Sequence, residues 1–361
     1  MPLSLSPSKI HKVGDQTAGY ILALERLAQA FGTETINTED ISLNESRVRV
    51  DEAGRRILAK CSSFHPDDVL ASREIIRRTL LALSVSVDAM IDNTHAYVPC
   101  RAGSAHTGQY PHEAMDSVLA AWLTGNELIM RVTDDSASLL EALAGLLPLQ
   151  QEIRFTREVA GPLDAYIMNH DGGRHGYQQK YYGSKPSLIR NPSYSVLLAG
   201  RAIPADEAKA LMTGIHLFNG KAPESIRMIW VESEDVLQYL LRSSEANVHV
   251  MERNKWMNNY EYRKSIFLIN SLPFLDNGWA CFRREDGLFP PAGVVYYHVD
   301  PDLTAWRSMA GSECARLHQY TLAGKWIADT SHLPLSGPGQ YPWAKLTLES
   351  CSFLRKIVKH E

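Results

Sequence analysis

His95, His106 and His112, the last followed directly by Glu113, crowd into one short stretch of the chain. Imidazoles and a carboxylate are ligands that zinc or iron accepts, so the set suits a metal-dependent oxygenase or hydrolase. Its spacings of eleven and six residues match neither the HExxH register of a helix nor an HxH pair on a strand. Two His-x-Asp triplets, His65-Pro66-Asp67 and His298-Val299-Asp300, offer the start of a facial iron triad. Alternate side chains share one face only on a strand, and only the second triplet lies in a strand-like run. It would need a further ligand such as His318 or His332, and Pro301 ends the strand at once.

Cys100 stands beside Arg101, a cation that favours a thiolate, with His95 and His106 as candidate bases. The chain has no GxSxG elbow, no GxGxxG and no GxxxxGKS. Its most glycine-rich stretch is Asp171-Gly172-Gly173-Arg174-His175-Gly176. Backbone N–H groups and Arg174 there could line a ligand site, but a mobile turn is the simpler reading. Tyr177 to Tyr182 contains three tyrosines and a single cation, too little for a nucleic-acid groove.

The elements that must position these groups follow from periodicity. Residues 18–31 space Leu24, Leu27, Ala28 and Phe31 as an amphipathic helix. A second helix runs from Pro66 to about Ile91, with Ser63 as candidate cap and Asp67 and Asp68 at its positive end. Residues 93–112 read as a long loop, followed by a helix over 113–124. Strands at 126–135 and 152–160 flank a helix at 136–148, and 161–193 reads as loop. Beyond it come a helix from Pro204, a strand over 225–235 ending in acids, another helix, strands at KSIFLIN and 292–300, and a final helix near 344–358. Without regular βαβ spacing, the expected class is α+β, a mixed or antiparallel sheet packed with helices. Two subdomains are expected, 1–185 and 186–361.

The chain has 361 residues, 45% of them hydrophobic and 22% charged, which places it among globular proteins able to bury a core without staples. A net charge of -4 gives no drive toward nucleic acid or an anionic membrane surface. Five scattered cysteines, with no CxxC, fit a reduced cytoplasmic protein. The N-terminal stretch shows no signal-peptide or lipidation pattern, and Leu80–Ile91 is too short to span a membrane.

A family pattern runs through residues 190–303: Arg190-Asn191-Pro192-Ser193-Tyr194, then LLAGRAIPADEAKALM, IRMIWVESEDVLQYLLRSSEANV, NNYEYRKS, EDGLFPPAG and GVVYYHVDPDL. Taken in order these resemble the FMN-dependent nitroreductase superfamily. The resemblance implies an oxidoreductase working by hydride transfer through the flavin on a small or peptide-derived organic substrate, with secondary metabolism as a setting. It implies Arg190 and Ser193 as contacts to the flavin phosphate, since a guanidinium and a hydroxyl suit a dianion. A homodimer is the expected assembly. Iron or zinc on His95, His106, His112 and Glu113 is the alternative cofactor, and a non-catalytic partner of an enzyme complex is the alternative role.

Overall fold

Every residue of Tyr194–Ala199 is buried, the pattern of a strand inside a sheet that is covered on both faces. Such sheets are built mainly from parallel strands with crossovers, and the described residues form two of them. The computed structural model describes residues 24, 28, 64–91, 100–105, 110–147, 151–157, 163–169, 184–190, 192–245, 247–312, 317–326 and 342–357. The chain divides into two units, Met1–Arg190 with Ser336–Glu361, and Asn191–Leu335.

In the first unit, α1 (Pro66–Ile91) opens with Asp67 and Asp68 in its first turn. It buries Val69, Ser72, Arg73, Ile76, Leu80 and Leu83, a stripe at intervals of three and four residues. Then β1 (Arg101–Ala105), α2 (Met115–Thr124), β2 (Glu127–Arg131), α3 (Asp134–Leu146), β3 (Ile153–Thr156), β4 (Ala165–Asn169) and β5 (Ser187–Arg190) follow. The five strands stand in the order β3-β2-β1-β4-β5, and all are parallel. Helix α2 is buried along its whole length. It packs on α8 (Pro342–Arg355), which the C-terminal segment returns to this unit.

The second unit runs β6 (Tyr194–Ala199), α4 (Ala205–Thr213), β7 (Ile226–Val231), α5 (Glu234–Glu245), α6 (Asn254–Ile269), β8 (Leu275–Asp276), β9 (Cys281–Arg284), β10 (Val294–Val299), α7 (Thr304–Ser312) and β11 (Leu317–Ala323). Its sheet has the order β11-β6-β7-β10-β9-β8. Only the β8–β9 edge is antiparallel. Alternation along β6 sorts the core into two halves. Leu197 and Ala199 join Ile229, Val231 and the α4 and α5 side chains Ala208, Met212, Leu237 and Leu240. Tyr194, Val196 and Leu198 join Met228, Trp230 and the α7 flank, Leu303 and Trp306. Helices α4 and α5 therefore cover one face and α7 the other.

Helices packed on a mixed sheet, as expected, are found in the second unit, but the strands of both sheets are mainly parallel, which makes the class α/β rather than α+β. Residues 161–193, read as loop, contain β4 and β5, and the small-residue stretch Arg101–Ala105, placed in a loop, is β1. Restoring these strands supplies the missing alternation. KSIFLIN is the end of α6 rather than a strand, since a short apolar run has no period that separates strand from helix. Among the described residues no helix is long and apolar enough to cross a membrane.

Candidate functional site

Strand β1 is the pivot of the first sheet. From β1 the chain steps through α2 to β2 and through α3 to β3 on one side, then crosses to β4 and β5 on the other. Connections leaving neighbouring strands in opposite directions open a crevice outside their carboxyl ends, where ligands of open α/β sheets bind. Small residues line the pivot. A Cβ on Gly103 would come within 2.6 Å of Leu163 and 2.9 Å of Tyr166. Ser104, fully buried, donates to the carbonyl of Ile167 on β4 at 2.9 Å and lies 3.3 Å from Ser117 Oγ on α2. The β1–β4 junction is thereby fixed to the helix.

At the carboxyl end of β2, Arg131 is exposed, with Thr133 half-buried two residues on. A basic side chain here suits an anionic sugar substituent, because the end of this strand is where a dinucleotide's adenosine ribose lies in sheets of this order. In sequence β4 runs straight into the Asp171–Gly176 stretch. That stretch lies outside the described residues.

The residues expected to do chemistry are placed otherwise. Arg190, at the end of β5, is nearly buried: its Nη1 donates to Asp116 of α2, and its Nη2 donates to Leu346 O at 2.7 Å and Ser350 Oγ at 2.6 Å on α8. Its guanidinium ties three elements of the first unit together. Ser193 lies half-buried in the link to β6 and belongs to the second unit.

His95 and His106 lie outside the described residues, whereas His112 and Glu113 are buried. His112 Nδ1 is 2.9 Å from Ser72 Oγ, and its ring packs on Tyr110 and edge-on against Trp343. Among the described residues no group of three or more His, Cys, Asp or Glu is arranged to hold a metal.

The thiol and triplet readings change as well. Cys100 is buried, and Arg101 beside it gives its Nε to Glu127 at 2.7 Å. Burial pushes the Cys281 and Cys351 thiols up to about 12, so neither is a thiolate at neutral pH. His298 stacks on Trp230 with centroids 4.2 Å apart. Asp300 accepts the Trp306 N–H at 2.8 Å and so caps α7. The His-x-Asp pair on β10 is therefore spent on packing and capping.

No family model matches the chain, and no curated protein does. Solved structures match in fold. An aldehyde dehydrogenase 21 from Physcomitrella patens, in complex with succinate, is 13% identical at a TM-score of 0.51, covering 88% of this chain and 76% of its own. An NADP-dependent glyceraldehyde-3-phosphate dehydrogenase from Bacillus halodurans C-125, complexed with NADP, is 10% identical at 0.51, covering 94% and 90%. An indole-3-acetaldehyde dehydrogenase variant from P. syringae, in complex with NAD+ and IAA, is 10% identical at 0.52, covering 93% and 74%.

These likenesses overturn the resemblance to the FMN-dependent nitroreductases, and FMN and the flavoprotein reading go with it. The physical reason is plain in the 190–303 stretch. Its strands build a mainly parallel sheet, and the arginine meant for the flavin phosphate serves Asp116 instead. Iron or zinc is set aside too: among the described residues no such ligand cluster forms, and His112 turns its Nδ1 to Ser72 instead.

Proposed function

We propose that the chain is an NAD(P)-dependent oxidoreductase acting on a small organic carbonyl compound. The observation that carries this is the first sheet: five parallel strands in the order β3-β2-β1-β4-β5, with the direction reversing at β1. That is the strand order of dinucleotide-binding sheets. The fold neighbours support the reading, since two of the three named above were solved with NADP and with NAD+. One residue fits the group directly: Arg131 stands exposed at the end of β2. Arg131 would hold the adenosine ribose end, where a guanidinium favours a 2′-phosphate and hence NADP(H). Bound there, the nicotinamide would supply hydride transfer.

Fluorescence titration of the full chain with NADPH and NADH tests this. Both should bind, NADPH more tightly, and Arg131→Ala should weaken NADPH about tenfold, roughly 1.4 kcal/mol, while leaving NADH unchanged. Failure of both nucleotides to bind at millimolar concentration would overturn the assignment.

A further inference from the structure

The second unit has its own crevice, independent of the dinucleotide reading. Parallel neighbours β7 and β10 send their chains to opposite faces, β7 into α5 and β10 into α7. A cleft must open outside their carboxyl ends. A cavity of about 410 Å³ lies there, lined by Arg201, Glu232 and Pro301 from the loops that follow β6, β7 and β10 and by Asp235, Val236 and Tyr239 from the first turns of α5. Its size falls within the range of small-ligand sites, roughly 300–1,000 Å³.

Arg201 is built into this cleft rather than resting on a surface. Its backbone is clamped to Lys325 by two hydrogen bonds, N–H to O at 2.8 Å and O from N–H at 2.7 Å. The clamp requires glycine on both sides: a Cβ on Gly200 would sit 2.5 Å from Lys325 O, and one on Gly324 would sit 2.5 Å from Arg201 O. The next residue, Ala202, is held at φ 58, a conformation that non-glycine residues keep only when their surroundings impose it. Glu232 is 3% exposed and grips one edge of the guanidinium, Nε at 2.7 Å and Nη2 at 3.2 Å, while the Arg201 side chain stays 57% exposed. Of the five guanidinium N–H donors, the three on the other edge are left to the cleft.

Both signs of charge meet in the cleft. Glu232 is committed to Arg201, and Asp235 adds an exposed carboxylate. A simple anion would face Asp235 and a simple cation would face Arg201. A ligand carrying both a carboxylate and an ammonium satisfies the two together, and Val236, Tyr239 and Pro301 suit an apolar body between them. The Tyr239 ring is fixed by its hydroxyl, which donates to Ile203 O at 2.8 Å.

We propose that this cleft binds a small apolar zwitterion of the amino-acid class, its carboxylate on Arg201 and its ammonium on Asp235. Titration calorimetry of the full chain with L-leucine, leucine methyl ester and N-acetyl-leucine tests it. Leucine should bind saturably, and each derivative, lacking one charge, should bind at least about tenfold more weakly. Arg201→Gln should remove the discrimination against the ester, and Asp235→Asn that against the acetyl compound. Arg201→Lys, which keeps the cation without the fork, should retain part of the affinity. No saturable leucine binding to the natural chain, or equal binding of all three compounds, would overturn the proposal. So would leucine binding that neither Arg201→Gln nor Asp235→Asn changes. The NADPH titration reads the other unit, so either proposal can fail without the other.

Discussion

Each unit pairs an arginine at the carboxyl end of a strand with a buried carboxylate, and the two pairs have come to opposite uses. In the first unit Asp116 is 0% and Arg190 9% exposed, and Leu346 O and Ser350 take further donors. In the second, Glu232 is buried, but most of Arg201 faces solvent. The same ion pair is a structural knot where both members are enclosed and a ligand-facing hook where one is not. What decides is the third element. Helix α8 closes over Arg190, whereas Lys325, just past β11, clamps only the backbone of Arg201.

The comparison is broken most severely at Asp116. Asp116→Ala leaves the nearly buried Arg190 charge without its carboxylate, so the chain should lose about 3–5 kcal/mol in urea unfolding. Replacing both members with apolar residues, Asp116→Leu with Arg190→Met, should restore much of that loss, because the uncompensated charge is gone. Glu232→Ala should lower the unfolding midpoint far less than Asp116→Ala, since Arg201 is solvated without its partner. Equal losses in the two units would erase the distinction.

How far the sequence disclosed these two regions depends on the range of the interactions. Strands β2, β3, β7 and β10 and helices α1, α4, α5 and α8 carry periodicity within their own residues, and reading them needs nothing else. Arg101–Ala105 has no β-branched residue, and its strand character comes from lying between β2 and β4. Missing β1, β4 and β5 hid the parallel order, and with it the class of ligand. The Arg190 knot joins residues 74 and 160 positions apart, which local spacing does not reveal. The acids after β7 were legible as the end of a strand, but the bond from Arg201 to Glu232, 31 positions on, is again beyond local spacing.

A smaller effect sharpens the role of the backbone clamp. Gly324 has φ 71 and a Cβ site 2.5 Å from Arg201 O, whereas Gly278 has φ 92 and open space around it. Gly278→Ala should cost only the left-handed backbone penalty, about 1–2 kcal/mol. Gly324→Ala carries that penalty plus a collision with backbone, so its loss in thermal unfolding should exceed that of Gly278→Ala by about 1 kcal/mol or more. It should also weaken leucine binding, because the clamp positions Arg201. Identical losses would show that the Arg201–Lys325 lock yields freely.

The smallest effect concerns a group that belongs to neither pair. Burial lowers the His298 pKa, and Asp286, 3.9 Å away and exposed, offsets this only in part. The folded chain therefore holds His298 neutral at pH values where the unfolded chain already protonates it, near and below about 6.5. The unfolded state then binds more protons, so the stability from this residue is present above pH 6.5 and is lost as pH falls through the folded pKa. His298→Phe keeps an aromatic face on Trp230 and removes the titration. Its stability should fall less steeply than that of the natural chain between about pH 6.5 and 5. Parallel curves would mean that His298 titrates alike in both states and that its stacking on Trp230 does not exclude the proton.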